Sequence, residues 1–104
     1  MKAKAIFFDR DGVLNRSLII KGKPKAPVKF KDFKIYKNLG KYFINLKKEY
    51  LIYVITNQPD FFEKKNRNIV NEMHKKLKKE LPINNILCCF DRKDSSKNKK
   101  PNIG

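Results

Sequence analysis

Acid is what this chain has least of: 10 Asp and Glu stand against 26 Lys and Arg in 104 residues, a formal charge of +16. A polyanionic partner is one explanation, because a dense positive field concentrates phosphates and nucleic acids near a surface. Lys, Asn and Ile are used almost everywhere, however, and Lys is not confined to one segment. Compositional drift is therefore the preferred reading, with anion steering as its by-product. Cysteine is nearly absent too. Cys88 and Cys89 are neighbours in an apolar run, Ile86-Leu87-Cys88-Cys89-Phe90, and neighbours on a strand point to opposite faces, which places them poorly for a mutual disulfide. They read as buried, reduced thiols acting as small hydrophobes. Long apolar runs are missing altogether: none approaches the roughly 20 residues needed to cross a bilayer. The start, Met1-Lys2-Ala3-Lys4, has no signal-peptide core. The expectation is a cytoplasmic protein with no membrane partner, a single domain over residues 1–104 with one core.

What is present alternates between short β-rich runs and helical stripes. Residues 4–8 read as a first strand, with residues 9–15 as its exit. Residues 16–36 hold Gly22, Pro24 and Pro27 among lysines and read as a crossover loop with little regular structure. Leu39, Tyr42, Phe43, Leu46 and Tyr50 recur at helical spacing and predict a helix over residues 38–50. Leu51 to Ile55 predict a second strand with a polar exit at Thr56-Asn57-Gln58-Pro59. Ile69, Met73, Leu77 and Leu81 step by four, giving a helix over about residues 62–81 that Pro82 ends. Residues 86–90 predict a third strand, and from Asp91 the composition turns polar. Strand, helix, strand, helix, strand means α/β: a Rossmann-like parallel sheet, three strands present, flanked by helices.

The most informative string is Ala5-Ile6-Phe7-Phe8-Asp9-Arg10-Asp11-Gly12-Val13-Leu14-Asn15. Four apolar residues lead into a glycine turn with two carboxylates at the strand exit, where open α/β sheets bind ligands. Two such acids can hold a hard divalent cation, Asp9 through its side chain and Asp11 largely through its backbone carbonyl. One can attack phosphorus while the other handles the leaving-group proton. Taken alone, Thr56-Asn57 reads more simply as a turn or a helix cap. His74, among Glu72, Lys75 and Lys76, reads as a solvated surface histidine.

Taken together, three strand exits carry distinct groups: Asp9 and Asp11, then Thr56-Asn57, then Lys99-Lys100-Pro101. This order resembles the haloacid dehalogenase-like phosphotransferase superfamily, in particular its histidinol-phosphate phosphatase and D,D-heptose 1,7-bisphosphate phosphatase subgroup. Phe8 to Asn15 is similar to that subgroup's first motif, Val54 to Pro59 to its second, and Lys99-Lys100-Pro101-Asn102-Ile103-Gly104 to its third. The resemblance implies a Mg²⁺-dependent phosphatase of carbohydrate or amino-alcohol metabolism, hydrolysing a small phosphorylated metabolite through an aspartyl-phosphate. It implies Asp9 as nucleophile and Asp11 as acid/base, with both at the metal. It implies Thr56 and Asn57 as phosphate ligands, and Lys100 neutralising the phosphate and orienting Asp9. Two departures stand out. The subgroup's zinc site of three cysteines and a histidine has no counterpart, since Asp91 stands in the histidine position and Ser96, Lys97 and Asn98 replace cysteines. Zinc is therefore not expected, and residues 91–99 should form a mobile loop. The superfamily's fourth acidic motif is also missing, implying a C-terminally truncated member with a short Mg²⁺ shell and reduced or absent activity as it stands. The alternatives are a polynucleotide 3′-phosphatase and a non-catalytic phosphate- or nucleic-acid-binding remnant.

Overall fold

The computed structural model describes residues 4–91. Strand β1 (Lys4–Asp9), helix α1 (Leu39–Lys47) and a strand over Tyr50–Asn57 open the main layer, followed by helix α2 (Arg67–Glu80) and a strand over Asn85–Cys89. Between β1 and α1 lie two short strands, β2 (Leu18–Ile20) and β3 (Lys23–Lys25), so the last two strands of the layer are β4 and β5. The chain is an α/β protein: β1, β4 and β5 form one parallel sheet in that order, and β2 and β3 pair separately as an antiparallel hairpin.

The hairpin corrects the loop expected over residues 16–36. Lys21 and Gly22, the two residues between its strands, have φ of 52° and 76°. Positive φ at both positions matches the twist of a two-residue hairpin turn. Glycine adopts this freely, whereas lysine there carries no turn signal in sequence.

The boundaries also moved for local reasons. Helix α1 ends at Lys47, because Tyr50 already pairs with Lys4 in the β1–β4 ladder. Residues 59–61 and 64–66 are single 3₁₀ turns, so α2 begins later than its apolar stripe suggested. It stops before Pro82, with Leu81 extended at φ −126° and ψ 141°, the conformation that a following proline favours.

Both helices cover the same face of the sheet. The core joins Phe43 of α1 and Met73 and Leu77 of α2 to Ile52 and Val54 of β4, with Ile6, Phe8 and Ile86 packed against it. Two crossovers of one hand, running in one direction from β1 to β4 to β5, put their helices on one side. The opposite face is bare among the described residues: Phe7, Ile55 and Leu87 are exposed, and Phe7 stacks on Tyr53 with centroids 5.3 Å apart. The bare face also corrects the cysteines. Both are free, but Cys89 is exposed and Cys88 only half-buried, because β5 is an edge strand with one uncovered side.

Candidate active site

Parallel pairing brings the strand exits to one rim. Asp9, the last residue of β1, is in register with Ile55, and Asn57, the last of β4, is in register with Cys89. Thr56 and Asn57 therefore belong to the strand itself rather than to the turn beyond it. Past Asp9 the chain folds into a tight turn around one carbonyl. The backbone N–H groups of Val13, Leu14 and Asn15 all donate to the Arg10 carbonyl, and the Gly12 N–H donates to the Asn15 carbonyl at 2.8 Å. Gly12 has φ +85°, which glycine tolerates without a Cβ penalty. The Asp11 carbonyl takes part in none of these bonds.

The turn aims the Asp11 carboxylate inward, at a set of donors. Arg10 donates to its Oδ1 from Nε at 3.1 Å and Nη2 at 2.7 Å, and Asn15 Nδ2 donates to the same oxygen at 2.9 Å. Gln58 Nε2 donates to Oδ2 at 2.7 Å and to Thr56 Oγ1 at 2.7 Å. One amide group thus ties the first strand's exit to the second's. Oδ1 is crowded by three donors, whereas Oδ2 receives one and keeps a lone pair open. Any proton that Asp11 carries in chemistry sits on Oδ2.

Arg10 is the unusual member. Its side chain is fully buried while that of Asp11 is 19% exposed. A buried charge is tolerated only when paired and hydrogen-bonded. Besides Asp11, its guanidinium lies 5.0 Å from the Phe33 ring centroid, reaches Met73 Sδ at 3.6 Å and stands 3.2 Å from His74 Nε2. Nε2 accepts that bond when the imidazole proton is on Nδ1. His74 is accordingly not a solvated surface residue. Burial, then the Arg10 charge, lowers its pKa from 6.5 to about 4, against a smaller opposing pull from Asp11. Near neutral pH it is an uncharged acceptor for Arg10.

Asp9 is the opposite case. Its side chain shares the bare face with Phe7, is exposed, and has no hydrogen-bond or ion-pair partner among the described residues. Thr56 is buried, and its hydroxyl oxygen accepts from Gln58. The Asn57 side chain donates to the Asp91 carbonyl at 3.1 Å and accepts from the Asp91 N–H at 3.0 Å, clipping the end of β4 to the segment after β5. Its second Nδ2 hydrogen is not used in that clip and is the one left for a phosphate oxygen. Lys100, the zinc-related Ser96, Lys97 and Asn98, and all but Asp91 of the mobile loop expected over residues 91–99 lie outside the described residues.

The oxygen donors left over at this rim are of the kind that Mg²⁺ takes. Asp9 offers a carboxylate with no competing donor, and the Asp11 carbonyl is left over from the turn. Both are hard ligands, and this ion keeps several waters in its shell. Among the described residues no group of three His, Cys, Asp or Glu gathers as a larger metal cluster.

Arg10, Asn15, Gln58 and His74 were not singled out as site residues from sequence. Three of them, Arg10, Asn15 and Gln58, lie inside the two motif strings. No protein-family model matches the chain, and no curated protein matches it significantly.

Proposed function

We propose that this protein is a Mg²⁺-dependent phosphomonoesterase acting on a small phosphorylated metabolite of the histidinol phosphate or heptose 1,7-bisphosphate type. The observation that carries the reading is the Gln58 amide, which binds Asp11 Oδ2 and Thr56 Oγ1 together at 2.7 Å each. It links the two most distinctive motif strings on one rim, with Asp9 unpaired among the described residues. A strand-exit carboxylate with no partner is suited to nucleophilic attack, and one locked by donors is suited to proton transfer at a defined atom.

In this mechanism the Asp9 carboxylate attacks phosphorus and forms an acyl phosphate as the ester oxygen leaves. Asp11 gives the leaving oxygen its proton from Oδ2. It then takes a proton from the water that cleaves the acyl phosphate, which releases inorganic phosphate and restores Asp9. The Thr56 hydroxyl hydrogen is free to donate to a phosphate oxygen while its lone pair holds Gln58. Lys100 offsets the charge of the transferring group. Mg²⁺, held by Asp9 and the Asp11 carbonyl with phosphate and water oxygens, would supply Lewis-acid polarisation of the phosphoryl group.

The test is phosphate release from both metabolites and from a 3′-phosphorylated oligonucleotide, with and without Mg²⁺. Release from a metabolite that falls by about a thousandfold or more in Asp9→Asn supports the reading. Release only from the oligonucleotide moves it to a polynucleotide 3′-phosphatase. Release indifferent to Asp9→Asn overturns it, and no release from any substrate moves it to a non-catalytic phosphate- or nucleic-acid-binding remnant.

A further inference from the structure

A second feature lies away from the strand exits. The segment after Asn15 and residues 34–37 run side by side, joined by the Arg16 N–H to the Lys34 carbonyl and the Tyr36 N–H to the Leu14 carbonyl. Between them and the second half of α2 is an open cleft of about 690 Å³, lined by Arg16, Lys34, Lys37, Lys76, Tyr36 and Glu80. None of these residues belongs to the Asp9 and Asp11 site. Four cations face one acid here, close to the 26 to 10 of the whole chain, so it is their gathering around one cleft rather than their ratio that sets the place apart. None of the four forms an ion pair among the described residues. Elsewhere on α2 the cationic Lys75 is partnered by Glu72 at 3.3 Å.

The cleft also has an aromatic wall. Tyr36 is 40% exposed, which leaves ring surface to solvent among unpaired cations. Smaller clefts adjoin on both sides. One of about 350 Å³ shares Arg16 and Lys34, and one of about 420 Å³ shares Lys76 and Glu80. The latter includes Phe30, whose ring lies 5.7 Å from Lys76 Nζ. Cations that gather without ion-pair partners concentrate anions. An exposed ring beside them favours an anion that carries its own flat π-system, because stacking adds to the phosphate contacts. A small-ligand site has this size.

We propose that this cleft binds a nucleotide unit, with its phosphate among Arg16, Lys34, Lys37 and Lys76 and its base on the Tyr36 ring. The unit belongs either to a free nucleotide or to a single strand whose neighbouring residues occupy the adjoining clefts. Binding here does not depend on phosphatase activity.

The experiment is fluorescence anisotropy with a labelled short oligothymidylate, competed by AMP and by a duplex, across a salt series. Every substituted side chain is exposed, so folding is checked simply by a thermal melt. Tyr36→Ala should weaken binding about fivefold or more. Lys34→Gln with Lys37→Gln should lower the slope of log K against log salt by about 1.4 for a single strand. The control, Lys47→Gln with Lys48→Gln, removes the same charge from the end of α1 and should leave both readouts nearly unchanged. Competition by AMP at concentrations comparable to the oligonucleotide identifies a free-nucleotide site, and its failure identifies a single-strand site. Either supports the proposal. Absence of binding, duplex binding as tight as the single strand, or equal losses from the control pair with none from Tyr36→Ala would overturn it.

Discussion

Removing the Asp11 side chain should cost far more stability than removing the charge it pairs with. In Asp11→Ala the buried Arg10 guanidinium loses both of its hydrogen bonds to Oδ1. It keeps only a neutral imidazole nitrogen, a thioether and a ring face. With Asp11 in place its side chain is fully enclosed. Stranding a buried charge costs about 3–5 kcal/mol, and the lower end applies here because the pair opens to solvent on the Asp11 side. Arg10→Met strands nothing comparable: Asp11 keeps Asn15 and Gln58 as donors and has water on its exposed side. Methionine also fills most of the space against Phe33 and Met73. That substitution should cost about 1 kcal/mol. In a domain this small each kcal/mol shifts Tm by about 4–8 °C, so the two variants should be separated by roughly 10 °C in a melt at pH 7.5. Urea titration with an unchanged m-value would confirm that the difference lies in stability. Equal losses, or a larger loss for Arg10→Met, would refute the view that Asp11 holds a buried cation in place.

His74 predicts an acid-side weakness. Its pKa is 6.5 when unperturbed and about 4 in the fold. Between those values the unfolded chain binds a proton that the folded chain refuses, so stability is full above about pH 6.5 and falls as pH drops towards 4. The slope from this one group is at most about 1.4 kcal/mol per pH unit. His74→Leu should flatten that part of the urea-midpoint profile, and an unchanged profile would rule His74 out as the cause. The cysteines should also differ in reactivity. Burial pushes the Cys88 thiol up to about 11, so only about a thousandth of it is thiolate at pH 8, whereas Cys89 is exposed. Iodoacetamide at pH 8 followed by peptide mass mapping should find Cys89 alkylated first, and the reverse order would refute the assigned faces of β5.

The sheet was legible because each of its strands is a short β-rich run that ends in polar residues, and the two helices because their apolar residues step by three and four. The hairpin was not, since its turn places a lysine at φ 52°, and nothing in a lysine announces the left-handed region. Asp9, Asp11 and Thr56 were visible as carboxylates and a hydroxyl at strand ends. Arg10 was hidden because sequence does not say which charge is enclosed, although an arginine wedged between two acids in a lysine-rich chain is a signal of a kind. Gln58 lies two residues past Thr56, and its role depends on a contact 47 positions away in the chain. His74 follows Met73 on α2, and a helical step of about 100° places it on the shoulder of the apolar stripe. Lys75 is a further step of about 100° round, on the solvent side, and that charged company is why His74 read as solvated.

The two acids are one residue apart and stand in opposite mechanical situations, for a reason that starts in the topology. Crossovers running in one direction leave β1 with one face packed and one bare. Asp9 ends the strand on the bare side, next to Phe7, and nothing among the described residues restrains its carboxylate. The glycine turn then reverses the chain, so Asp11 enters the packed side, where α2 supplies Met73 and His74 beneath Arg10 and the residue just past β4 is Gln58. An open carboxylate keeps its lone pairs for an electrophile or a cation, whereas one bound by four donors keeps its position. A one-residue slip of β1 would carry Asp9 to the packed face and turn Ile6 and Phe8 out to the bare one, because it moves every side chain of a strand to the other face. Register therefore does chemical as well as structural work here, and the Ile6 and Phe8 contacts with the core are what hold it.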